Sequence, residues 1–125
     1  MDTIFRIQDH EGRGPWRPGF SKKWVDVLGP PPPPPYFEEF PNWQELIKLP
    51  KQAGLHHGCG CRSIEQMRRW FTKNEMWKLR RLGFAIVTMD VDEIIAESDN
   101  QVIFARLKSL NKDVTLYENK VRARR

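Results

Sequence analysis

A chain of 125 residues has room for one domain with one modest core and is too short for two ordinary domains. With 39% hydrophobic and 30% charged residues it falls among soluble folded proteins rather than disordered ones. No long apolar run and no signal-peptide core occurs, which argues against a membrane partner or secretion and makes the cytoplasm the expected location. The net charge of +5 favours anionic partners. Its carriers are Arg62, Arg68, Arg69, Lys73, Lys78, Arg80 and Arg81 on expected helices and a basic tail over 120–125. The ordinary reading of such charges is a solvated face. Nucleic acid is the next reading, although no zinc-finger, helix-turn-helix or RNA-recognition motif supports it.

In chain order, Thr3-Ile4-Phe5-Arg6-Ile7 reads as a strand running out near Gln8, β-branched and aromatic apart from Arg6. The following stretch, 9–19, is rich in glycine, proline and charge and reads as an ordered loop anchored by Trp16. Such a loop suits the covering of a ligand. Ser21 to Leu28 suggests a short helix, ended by Gly29 and the run Pro30 to Pro35. That run can be only polyproline II, a peripheral spacer or docking surface, because it has no N–H groups to donate. The aromatic residues Tyr36, Phe37, Phe40 and Trp43 then re-anchor the chain, with a short helix expected over 41–47.

The second half is more regular. Leu55 to Cys61 reads as a glycine-interrupted strand, and Ser63-Ile64-Glu65-Gln66 as a capping box opening a helix with Ile64, Met67, Trp70 and Phe71 on one face. A second helix is expected from about Asn74 to the stop at Gly83. Phe84 to Val91 follows as a buried strand, then a turn or helical crossover through Asp92 to Ser98, a strand over Gln101 to Arg106, and a last strand over Val114 to Tyr117. Domain boundaries follow as one domain over 1–119, with the proline excursion at 30–35, and the tail beyond it. The fold class is α+β, a small bent mixed or antiparallel sheet flanked by the two helices after Ser63.

His56, His57, Cys59 and Cys61 invite a zinc reading, but four ligands within six residues of extended chain cannot all converge on one tetrahedral centre, because alternate residues point to opposite faces. No metal site is expected. The two cysteines, one residue apart, are too close for an unstrained mutual disulfide and read as small buried residues. Gly12-x-Gly14 lacks the lysine and helix of a phosphate-binding loop. The terminal strands are more suggestive. If the fold joins them, a guanidinium meets Asp99-Asn100-Gln101, which suits a phosphate-bearing ligand with ribose hydroxyls.

Those segments together resemble the ADP-ribosyltransferase fold, in its Arg-Ser-Glu branch. Ile4-Phe5-Arg6-Ile7 is similar to the family's first strand, Ser63 lies where that branch places its serine, and Asp99-Asn100-Gln101-Val102-Ile103 is similar to its Glu-x-Glu or Gln-x-Glu motif. The resemblance implies NAD as a substrate, held by Arg6, Ser63 and His57, with transfer of ADP-ribose to a protein or nucleic-acid target. It also implies a site acid, and here the departure lies: the position is filled by neutral Gln101, as in a small bacterial or phage-encoded member with a degenerate final acid. Asp99 or Glu97 stands in if the register differs by two or four residues, since period-two alternation keeps each on one face. The catalytic candidates are therefore Gln101, Asp99 and Glu97. The competing expectation is a non-enzymatic interaction protein of the kind small phages and mobile elements use to block host defence complexes, acting through its basic helices and aromatic loop.

Overall fold

The computed structural model describes residues 1–17 and 19–117. The expected basic tail over 120–125 lies outside the described residues. The elements are β1 (Asp2–Gln8), a 3₁₀ turn (Ser21–Lys23), three short helices α1 (Tyr36–Glu39), α2 (Trp43–Leu46) and α3 (Lys48–Gln52), then β2 (His56–Gly60), α4 (Ile64–Arg68), α5 (Lys73–Arg81), β3 (Ala85–Val91), β4 (Glu93–Glu97), β5 (Val102–Arg106) and β6 (Thr115–Leu116). The class is α+β. The strands divide into two three-stranded sheets, β1-β3-β6 and β2-β5-β4, in which every pairing is antiparallel. An isolated bridge joins them, where Phe5 and Cys61 exchange backbone N–H···O bonds of 2.8 Å.

Period-two alternation on β1 explains the layers. Ile4, Arg6 and Gln8 share one face with their partners Met89, Val87 and Ala85, while Phe5 and Ile7 share the other with Thr88 and Ile86. On the first face Ile4, Val87, Met89 and Val91 pack against Val102 and Phe104 of β5, forming a core between the sheets. On the second, Ile7 and Ile86 pack with Trp24, Met67, Leu79 and Phe84 into a core against the helices. Arg6 therefore lies on the inter-sheet side of its strand. No helix among the described residues is long and apolar enough to cross a membrane.

Capping sets the helix boundaries. Thr72 Oγ1 accepts from the Glu75 N–H at 3.0 Å while Glu75 Oε1 accepts from the Thr72 N–H at 2.8 Å, a reciprocal box that starts α5 one residue before Asn74. Gly83, at φ +93°, ends the segment in a conformation that costs glycine little. At α4 the Ser63 hydroxyl accepts from the Gln66 N–H at 3.1 Å, but Gln66 Oε1 takes the N–H of Arg62, so the expected box is half formed. Trp70 and Phe71 fall beyond the end of α4 rather than on it.

Four expectations need correction. The helix expected over 21–28 is only the 3₁₀ turn, because the Asp26 N–H donates to Glu75 Oε2 at 2.9 Å instead of continuing a helical ladder. The loop before it is anchored by fully buried Trp24, whose indole N–H donates to the Pro15 carbonyl; Trp16 is 46% exposed and lies edge-on to it. The segment 92–98 is no crossover. It is strand β4, whose β-branched Ile94 and Ile95 suit the sheet, with a register shift between Ile94 and Ala96. The last strand shrinks to Thr115–Leu116.

The close approach of β1 to β2 requires a glycine. A Cβ on Gly60 would lie 2.8 Å from both the Phe5 carbonyl oxygen and Ile4 Cδ1. Gly60→Ala is expected to cost about 1–3 kcal/mol, read as a lower urea midpoint with unchanged slope. Gly14→Ala, whose Cβ would find nothing nearer than Arg6 Nη2 at 3.6 Å, is the control and should shift the midpoint little.

Candidate functional site

The inter-sheet face of β1 delivers Arg6 to the split between the sheets. Arg6 Nε donates to Gln8 Oε1 at 2.9 Å, Nη1 to the Cys59 carbonyl at 2.7 Å, and Nη2 to the Gly12 carbonyl at 3.1 Å. Every one of these acceptors is neutral, and no carboxylate among the described residues forms an ion pair with it. A guanidinium carries five N–H groups, so hydrogen-bonding capacity and a full charge both remain. Burial lowers the Arg6 pKa, against the pull of the more distant Asp9. Asp9 is itself occupied by the N–H groups of Glu11 and Arg13 and by the Arg13 guanidinium.

A cavity of about 580 Å³ opens beside this charge, within the size range of small-ligand sites. Its polar lining includes Arg6, Arg17, His57 and Gln101, and aromatic walls come from Trp16, Tyr36, Trp43, Trp70 and Phe71. The proline run contributes Pro32, Pro33 and Pro35, so it is a wall of this cavity and not merely a peripheral spacer. Arg17 lays its guanidinium over the Phe20 ring, 4.3 Å from the centroid, and its buried Nε has no hydrogen-bond partner among the described residues. Burial, with the nearby charges of Lys51 and Arg6, lowers the His57 pKa. A neutral imidazole offers one donor and one acceptor. The cavity thus joins uncompensated positive charge to flat apolar walls, the chemistry of a site for an anion that carries rings.

The cysteines contribute shape rather than reactivity. Burial pushes both the Cys59 and Cys61 thiols up to about 12, so neither supplies thiolate near neutral pH. No group of three metal-ligating side chains is clustered among the described residues.

Of the sequence-derived candidates, Arg6, His57 and Gln101 line this one cavity, whereas Ser63, Asp99 and Glu97 do not. Ser63 uses its hydroxyl as the α4 cap. Glu97 is held at the surface by Arg62 through bonds of 2.7 and 3.0 Å, the same guanidinium also donating to Asp2. The Asp99 side chain is exposed, and its backbone carbonyl accepts from Gln66 Nε2. The alternation argument that linked 97, 99 and 101 fails because the chain reverses between them, the Ser98 N–H donating to the Gln101 carbonyl and Glu97 pairing across to Val102.

Residues 1–116 match the family described as Bacteriophage T4 Y00F protein. The chain belongs to that family, and so to a family of phage proteins. No curated protein and no solved structure matches it. The Y00F match spans every residue of the cavity lining.

One acid of this family member escaped the sequence reading. Buried Gln101 donates its Nε2 to the Pro34 carbonyl at 3.0 Å and to Glu39 Oε1 at 2.7 Å, while Asn100 Nδ2 donates to Glu39 Oε2 at 2.8 Å. Burial raises the Glu39 pKa, but the bonds from Gln101, Asn100 and Ser98 outweigh it and leave the carboxyl below its ordinary range. The β4–β5 turn thereby clamps the end of the proline run. The only signal in sequence was a pair of acids, Glu38-Glu39, set in an aromatic cluster.

This clamp makes Gln101→Glu destabilising. A strand-end carboxylate at an open cleft is tolerated, but here it faces Glu39 at hydrogen-bond distance. The variant is expected to lose about 2–3 kcal/mol at pH 7. One of the paired carboxyls then has a raised pKa, so the loss should shrink as pH falls through that value and that carboxyl takes up a proton. Urea unfolding of wild type and variant at pH 7 and pH 5 checks both the size and the sign.

Proposed function

We propose that this protein binds NAD or another ADP-ribosyl ligand in the cavity between its sheets, as an ADP-ribosyltransferase-like protein. The observation that carries the reading is Arg6, a guanidinium without a carboxylate partner on the lining of an aromatic-walled cavity. A diphosphate matches its planar fork, and adenine or nicotinamide rings match the tryptophan and tyrosine walls. In this reading His57 and Gln101, both on the cavity lining, take the ribose hydroxyls.

Binding is the leading activity and transfer the second. In transfer the bond between nicotinamide and the ribose anomeric carbon breaks, nicotinamide leaves with the electron pair, and a nucleophile of the acceptor bonds to that carbon. Negative charge favours the cationic transition state. Gln101 carries none, and Glu39 behind it supplies a carboxylate already engaged by two amides. A second reading, a non-enzymatic phage protein that blocks a host defence complex, is favoured by family membership and by this neutral amide.

Thermal unfolding with millimolar NAD, ADP-ribose or ADP tests the reading. At about a hundred times the Kd, ligand stabilises by about 2.7 kcal/mol, on the order of 10 °C in Tm for a chain of this size. Arg17→Ala, which removes the guanidinium stacked on Phe20, should stay folded with a slightly lowered ligand-free Tm and bind roughly ten-fold more weakly. Arg6→Lys should abolish the ligand shift. Absence of any shift in wild type rules out the binding reading. Binding without nicotinamide release leaves a binder rather than a transferase.

A further inference from the structure

We propose that the basic groove along α4 and α5 binds single-stranded nucleic acid. A second cavity, about 890 Å³, runs over this face and is lined by Arg68, Arg69, Lys73 and Arg80 together with Trp70 and Trp77. Lys73, Trp77 and Arg81 succeed one another at four-residue intervals on α5, which places them in one stripe. Trp77 is 55% exposed, and the Arg81 guanidinium lies over its ring, 4.7 Å from the centroid. A large aromatic on a solvent face costs the free protein apolar exposure, and a cation stacked on it prepares a flat platform for a further ring.

Among the described residues, several of the positive charges on this face have no compensating carboxylate. Between Arg62 and Gly83 the acids are Glu65 and Glu75. Both oxygens of Glu75 are occupied, by the N–H groups of Thr72 and Asp26. Arg68, Lys73, Lys78 and Arg81 have no carboxylate partner among the described residues. Like charges held this close repel, and a polyanion relieves that while releasing its own counterions.

Nucleic acid suits the groove better than an acidic peptide because phosphates meet the cations while bases stack on Trp77, an arrangement a carboxylate-rich chain cannot use. Unpaired bases are required, since stacking needs an exposed π-face and the nine-residue α5 contributes its residues to the lining of a groove. Met67, Trp70 and Phe71 line both cavities, so a strand in the groove passes beside the Arg6 cavity. The inference does not depend on what that cavity binds.

The test is fluorescence anisotropy of a labelled oligothymidylate and an oligouridylate of about 12 nucleotides titrated with the full chain. Binding of either should weaken linearly with the logarithm of salt concentration. The Arg68→Glu, Lys73→Glu double variant should bind at least about ten-fold more weakly, and Trp77→Ala about five-fold more weakly with the salt slope unchanged. Arg6→Lys should bind like wild type, which separates this surface from the cavity. All substituted groove residues are exposed, and circular dichroism confirms folding. Wild-type affinity in the folded groove variants overturns the proposal, as does tighter binding of a duplex of the same length or of polyglutamate than of the single strand.

Discussion

A charge that cannot be given up sits where two sheets part. Arginine stays protonated in proteins, so the Arg6 guanidinium must be solvated by whatever surrounds it. The chain answers with carbonyls: Cys59 from β2, Gly12 from the loop after β1, and the amide oxygen of Gln8 on the same strand. Each acceptor is thereby fixed in place, which couples the loop and both sheets to one side chain. The need for room propagates further. A Cβ on Gly58 would lie 3.3 Å from Arg6 Nη1 and 2.9 Å from the Phe104 ring, so the glycines of β2 are a consequence of the charge and of the close strand approach.

Arg106 shows what a purely structural arginine does in the same fold. It too is buried and donates only to carbonyls, those of Asp90, Ser109 and Asp113, thereby tying down the 107–113 loop. It lines neither cavity. Arg6 has comparable bonds and faces open volume walled by aromatics, and that difference is what makes it a ligand-binding candidate. On the far side of the volume the Glu39–Gln101 contact holds the proline run as a wall, so the cavity depends on the Arg6 cation on one side and, on the other, on a half-buried Glu39 carboxylate bound to buried Gln101.

What could be read from sequence is what local physics decides. Alternation on β1 and the apolar run of β3 marked both strands, the Ser63 cap and the Gly83 stop each marked one helix end, and the class followed from their order, while the Thr72 cap that opens α5 went unread. Arg6 stood out because a lone cation in an apolar strand needs an explanation. What was lost depends on distant partners. The 92–98 segment becomes a strand because β5 is there to pair with it, and Asp26 leaves a helical path because Glu75, 49 positions away, takes its N–H. The Glu39–Gln101 pair spans 62 positions and has no local signature. Asp99 and Glu97 were grouped with Gln101 by a periodicity valid only within one strand, and a turn separates them.

The central claim is that Arg6 is held charged and ready for an anionic ligand. The most direct measurement is a heteronuclear NMR spectrum of the arginine side-chain Nε–H groups recorded as ADP-ribose is added, with the Arg6 peak assigned through Arg6→Lys. The account expects the Arg6 resonance to move in a saturable manner, accompanied by Arg17, while Arg106 stays in place. An Arg6 peak that is unchanged at millimolar ADP-ribose, or that moves no more than Arg106, contradicts it.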